Sequence, residues 1–417
     1  MTGMRGYYAS PWPGEDGGPA RMQRAPQGSA LSLQPGERLR CTTRDTVLST
    51  MTVLGDPGEV YLLTHSALRS NLGLATTSCV ERIDPHSLQT RQSSKRLPGG
   101  PMWPGGMAIH RNGDIYVVYG RYAHRLDRAC GLKASFALPL NLAYNSFVIL
   151  DNGRIVTKNL SDTIQATLTV LDAESLRPAC ADIVCPEPSI ARLSAVGNTV
   201  YVVGVRRIFR YHWDEAAQAL RRDADWSWDY VGDTPQSYGW DAVIDGHNAW
   251  FMDNGLHRYR INMRGAGVCQ TPNRLLRVSL ADAADHGALE VSGLRGGSIT
   301  NPPLVDVQRR IVVGFDSANS VLCAWRIQDD QSLAPLWRKA PFGAASHLLL
   351  YSGSGELVVN DYRRLGEEVA VLDIETGQER ARVRSGGLTQ GVVFPSVGWE
   401  RDFYWCSMGR LARIFAA

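Results

Sequence analysis

The chain has 417 residues, 44% hydrophobic and 20% charged, with 44 basic against 41 acidic side chains and a formal net charge of +3. That balance excludes the strong electrostatic footprint of a nucleic-acid or anionic-membrane binder, and no segment approaches the ~18 apolar residues of a membrane helix. The first 30 residues are rich in Gly, Pro, Arg and Gln and have no apolar run of signal-peptide length, so they read as a flexible or docking leader of a cytoplasmic protein, with Tyr7, Tyr8 and Trp12 as anchors. Lys occurs only at Lys95, Lys133, Lys158 and Lys339, an Arg bias typical of a GC-rich bacterial genome. The eight cysteines form no CxxC pair, which leaves reduced thiols as the expected state and gives no zinc motif.

After the leader comes a strand-like piece, Ala30 to Cys41, and then a phrase that recurs eight times. Its clearest element is a β-branched or aromatic strand: VYLL (60–63), IYVV (115–118), IVTK (155–158), VYVV (200–203), AWFM (249–252), IVVG (311–314), LVVN (357–360) and FYWC (403–406). Tight-turn sequences precede it, among them Asn112-Gly113, Asn152-Gly153 and Asp245-Gly246, and positive-φ residues in such turns match strand twist. A third strand follows as CVERID (79–84), LTVLD (168–172), LCAWRI (322–327) and VAVLDI (369–374), with an alternation that suits packing between neighbouring sheets. Short helical turns are expected only at 214–222 and 280–286. Repeats of this length imply an all-β, single β-propeller over residues 31–417, of eight four-stranded blades. The last repeat stops one strand short, so the N-terminal strand is expected to close the ring. Seven blades with a separate terminal hairpin is the alternative.

The strand–turn–strand pattern resembles the broad group of quinoprotein-like and lactonase-like propellers, across about Leu31 to Ala417. The WD40 signature is missing from the third strands, since Trp228-Asp229 and Trp240-Asp241 stand elsewhere, and so are the adjacent cysteines of many quinone-cofactor dehydrogenases. The resemblance implies a ligand site at the mouth of a central channel, where lactonase-like propellers hold a metal that polarises the substrate.

Loops leading into the first strand share a face with loops leaving the second, and that face carries the unusual residues. His347 or His65 is the candidate general base, with Tyr119 or Lys158 as acid or electrostatic partner, because imidazole titrates near neutrality. Asn145, Arg192, Tyr238, Trp240, Asn301 and Gln390 are the candidate ligand-binding residues. Asp241, Asp253, Asp316 and Asp361 are the candidate oxygen ligands of a divalent cation, Ca or Mg. The long insertion 253–273 is a candidate lid. Phosphate-binding Gly-rich motifs, HExxH and the GxSxG elbow are absent, which argues against nucleotide-driven and serine-hydrolase chemistry. The function expected is hydrolysis or elimination on a small molecule; the rival is a non-catalytic scaffold that binds protein partners through the same face.

Overall fold

The computed structural model describes residues 4–66, 69, 72–101, 105–255, 257–258, 266–267, 270–363, 366–387 and 394–417. They build eight antiparallel blades, each a path of four strands, with Leu97–Pro98 paired beside blade 1 and a separate two-stranded piece of His257–Arg258 with Ala266–Gly267, and the fold is an eight-bladed β-propeller. All eight marker runs are the second strands of their sheets, from Val60–His65 in blade 1 and Ile115–Tyr119 in blade 2 to Asp402–Ser407 in blade 8. Blade 1 shows the burial gradient that the sequence encodes. Its first strand, Ser49–Leu54, is buried throughout, whereas its fourth, Thr90–Ser93, is exposed throughout. Continuous apolar runs therefore fall on strands covered on both faces, and polar runs on the outer edge.

The chain divides into two compact units: Met1–Arg21 with Thr46–Tyr230, and Met22–Asp45 with Val231–Ala417. In the first unit, one core joins blades 3 and 4 through Val156, Leu168, Val170, Val200, Val202 and Tyr211. A second joins blades 2 and 3 through Tyr116, Val118, Phe147, Ile149 and Leu171, and it includes Tyr7 of the leader. Full burial of each such side chain contributes about 1.5–3 kcal/mol.

In the second unit, blade 8 is completed by the N-terminal strand Leu39–Asp45, which pairs with Arg410–Ala416 from Leu39↔Ala416 to Asp45↔Arg410. This strand starts later than the expected Ala30 to Cys41. The cause is Glu356, whose carboxylate accepts the backbone N–H groups of Leu31, Ser32 and Leu33 at 3.1, 2.9 and 2.8 Å. Those amides are thereby withdrawn from any ladder.

The described leader residues lie along the first strands. In the first unit, Leu54 N–H donates to Trp12 O, Ile109 N–H to Pro13 O and Ala195 N–H to Pro19 O, each at 2.8 Å. Trp12 is only 1% exposed. Arg21 donates from Nη2 to Glu15 (2.8 Å), from Nη1 to Asp16 (2.9 Å) and from Nε to the Leu193 carbonyl (2.8 Å). In the second unit, Gln23 is fully enclosed, donating to Pro303 O and accepting from Leu348 N–H.

The expected helical turn at 214–222 is a hairpin instead. Asp214 Oδ1 accepts the N–H groups of Ala216 and Ala217, and Ala219 already opens the fourth strand of blade 4. Residues 280–285 form turns of the same short kind. Among the described residues no helix is long and apolar enough to cross a membrane.

Candidate functional site

Two of the expected proton-transfer residues meet. His65 and Tyr119 are the last residues of the second strands of blades 1 and 2, and their ring centroids lie 5.3 Å apart at a 33° tilt. His65 is 6% exposed and its Nδ1 is buried without a hydrogen bond. Burial pulls its pKa down to about 4, so at neutral pH it is an uncharged imidazole. Tyr119 is fully buried and burial pushes its hydroxyl up to about 12, tempered by the nearby Thr76 hydroxyl, although Oη makes no well-formed hydrogen bond.

Two further hydroxyls at this end of blade 1 are buried without partners. Ser78 pairs directly across from His65, and Thr50 stands in the bulge between Ser49↔Thr64 and Met51↔Leu63. Buried polar atoms nearly always find a partner, and each left unmade costs about 1–3 kcal/mol. These hydroxyls join His65 Nδ1 and Tyr119 Oη as buried polar atoms without partners at this end of blades 1 and 2.

A glycine-on-glycine contact sets the position of Tyr119. A methyl group added at Gly120, whose φ is 58°, would lie 2.6 Å from the backbone of both Gly99 and Gly100. One added at Gly99 would lie 2.8 Å from Tyr119 Cε1 and 2.5 Å from Thr76 Oγ1. Only glycine lets these segments touch.

The other candidates of this unit serve contacts within blade 3 or between blade 3 and the entry to blade 4. Lys158 is buried and donates from Nζ to the carbonyl of Ser189 at 3.0 Å. Asn145 donates to the carbonyl of Ile190 at 3.2 Å, and Arg192 donates to the carbonyl of Asn145 and to Glu15.

In the second unit, His347 is fully buried and stacked on Phe394, with centroids 4.1 Å apart. Asn301 donates to Ala345 O at 2.9 Å, the same reach into the next blade that Asn145 makes. Tyr238 is half-buried and its carbonyl accepts the Gly255 N–H, while Trp240 packs so closely on Gly255 that no side chain fits there. Gln390 and ten of the 21 residues of the insertion 253–273 lie outside the described residues.

The four aspartates do not make an ion site. Asp253 is engaged by the Arg274 guanidinium and backbone N–H, and burial still raises its pKa to about 6. Asp361 accepts from Gly343 N–H, Arg363 and Arg382; burial works against ionisation there, yet those donors hold its pKa below the ordinary value. Both oxygens of Asp316 are filled by Ser292, Asn319 and the Ser298 N–H. Asp241 is buried. Guanidinium-paired carboxylates repel a second cation, and among the described residues no three His, Cys, Asp or Glu side chains are grouped to hold a metal. The expected Ca or Mg set does not fit these residues.

Two residues escaped the sequence reading. Glu367 is 1% exposed and burial pushes its pKa up; Ser385 Oγ (2.7 Å), Ser407 Oγ and Asn360 Nδ2 (3.3 Å) donate to it. A raised folded-state pKa adds stability that is present below the unfolded value and is lost as pH rises through the folded one. Glu367→Gln should therefore flatten the loss of stability above the ordinary glutamate range; melting temperatures from about pH 5 to about pH 9 check this. An unchanged slope would remove Glu367 as its source. The second residue is Arg121, a basic side chain in the turn after Tyr119 (Gly120-Arg121); an Arg within three residues of a Gly recurs in that turn at Gly204–Arg207 and at Gly409-Arg410.

No family model matches the sequence, and no curated protein does. Solved structures do resemble the fold. The quinohemoprotein alcohol dehydrogenase ADHIIG from Pseudomonas putida HK5 matches 99% of this chain and 80% of its own, with a TM-score of 0.65 at 10% identity. The quinohemoprotein alcohol dehydrogenase from Comamonas testosteroni matches 97% and 80%, with a TM-score of 0.62 at 11% identity. The Dos1 propeller matches 93% and 96%, with a TM-score of 0.58 at 10% identity. The likeness is to quinoprotein-like and other β-propellers in fold.

Proposed function

We propose that the chain is an enzyme that hydrolyses a small molecule, or eliminates a leaving group from it, at the end of blades 1 and 2. One observation carries the reading: a neutral imidazole and a neutral phenol, both buried and both short of hydrogen bonds, in ring contact at 5.3 Å. His65 Nδ1 accepts a proton from water or from carbon; Tyr119 Oη donates one to the departing oxygen. In hydrolysis the water oxygen bonds to the carbonyl carbon as the carbon–oxygen bond to the leaving group breaks. In elimination a carbon–carbon double bond forms as that bond breaks. Neither route needs an ion at the four aspartates. None of the seven described cysteines is in a disulfide, and thiols are kept reduced in the cytoplasm, the compartment proposed for the chain.

The test is turnover of a panel of esters, lactones and 3-hydroxy acids by the purified chain and by His65→Asn. Turnover that disappears in the variant supports the reading, and turnover that survives unchanged sinks it.

A second reading, a protein scaffold, draws on three exposed apolar residues in the loops at this end of blade 1: Val47 (76% exposed), Leu72 (75%) and Leu74 (49%). On that reading Val47→Ser with Leu72→Ser abolishes a partner interaction; on the enzymatic one it leaves turnover intact.

A further inference from the structure

The site reading leaves one charge unexplained. Arg121 is partly buried, its Nη2 donates to the carbonyl of Leu138 at 3.2 Å, and its Nε is buried without a partner. Among the described residues, most other arginines that are buried or partly buried form ion pairs, including Arg125 with Asp114 and Glu174, and Arg192 with Glu15. The equivalent turns make the contrast sharper, for Arg207 pairs with Asp229 and Arg410 with Asp45. Among the described residues Arg121 has no carboxylate partner. An unpaired guanidinium withdrawn from water is unfavourable unless an anion meets it.

Its place ties it to the reacting pair. A methyl group added at Gly100 would lie 2.8 Å from Arg121 Cγ, and one added at the neighbouring Gly99 would lie 2.8 Å from the Tyr119 ring. The Arg121 stem and the Tyr119 ring thus press on adjacent residues of one Gly-Gly turn. Planar, forked guanidinium groups match carboxylates.

We propose that Arg121 binds the carboxylate of the substrate, so that the substrate class is a small carboxylic acid presented to His65 and Tyr119. The inference rests on the assignment of that pair as the reacting groups. A bound carboxylate would also favour the protonated form of His65 that the reaction creates. Arg121 is a binding residue and takes no proton.

The test uses the full chain and its Arg121→Met, Arg121→Lys and His65→Asn variants, with lactate, mandelate, their amides and inorganic phosphate at constant ionic strength. Binding is read by calorimetry and by the shift in melting temperature. The carboxylates should bind wild type and His65→Asn alike, while the amides do not. Arg121→Met should weaken binding about tenfold or more, and Arg121→Lys less, because it keeps the charge and loses the fork. If Arg121→Met fails to fold, Arg121→Lys decides: wild-type affinity in it overturns the proposal. Amide binding equal to carboxylate binding, or phosphate preferred over both, also overturns it. Carboxylate binding that persists while no panel compound turns over would instead remove the catalytic reading and leave this site standing.

Discussion

Arg21→Met is expected to destabilise the folded chain by about 3–5 kcal/mol, the range seen when one partner of a buried ion pair is removed. The side chain is 2% exposed and holds Glu15, Asp16 and the Leu193 carbonyl at once. Methionine fills much of the volume but leaves Asp16 buried with its ion pair lost. Arg24, three residues later and exposed, is the control, and its replacement by methionine should change stability by about 0.5 kcal/mol or less. Urea midpoints compared at equal slope make the measurement. A loss below about 1 kcal/mol for Arg21→Met would mean that the leader is not an integral part of the fold.

Tyr119→Phe is expected to lower kcat/KM by about 100- to 10,000-fold, the usual worth of a positioned general acid or base. It should do so without lowering stability. Tyr119 Oη makes no well-formed hydrogen bond, so phenylalanine removes a buried polar atom and breaks nothing. His65→Asn should give a similar loss of turnover. The two variants together should lose little more than either alone, because the groups act as a unit. A variant that is inactive because it is unfolded would show itself in the melting curve; an active Tyr119→Phe would remove the phenol from the mechanism.

Much of the fold was legible because each blade repeats its own local chemistry. Asn112-Gly113 before Ile115–Tyr119 and Asp245-Gly246 before Asn248–Met252 declare a turn and a covered strand within a few residues. The leader was less legible, since Arg21 finds the Leu193 carbonyl 172 positions away and no local pattern encodes that meeting. The start of the closing strand was displaced for the same reason, by a carboxylate 325 residues downstream of Leu31.

The proximity of His65 and Tyr119 was legible because alignment on the second strands places both at the ends of these strands in adjacent blades. Asp253 and Asp361 read as free carboxylates in the sequence, and the arginines that engage them, Arg274, Arg363 and Arg382, are visible only in the fold. Arg121 was missed because its significance lies in a partner it lacks.

The pH dependence of kcat/KM tests the central claim most directly, because it reports the ionisation of the unliganded reacting pair. With His65 lowered to about 4 and Tyr119 raised to about 12, the profile should rise through about pH 4 and stay level across neutrality. A rise centred near the ordinary imidazole value of about 6.5, or a profile identical in His65→Asn, would contradict the account.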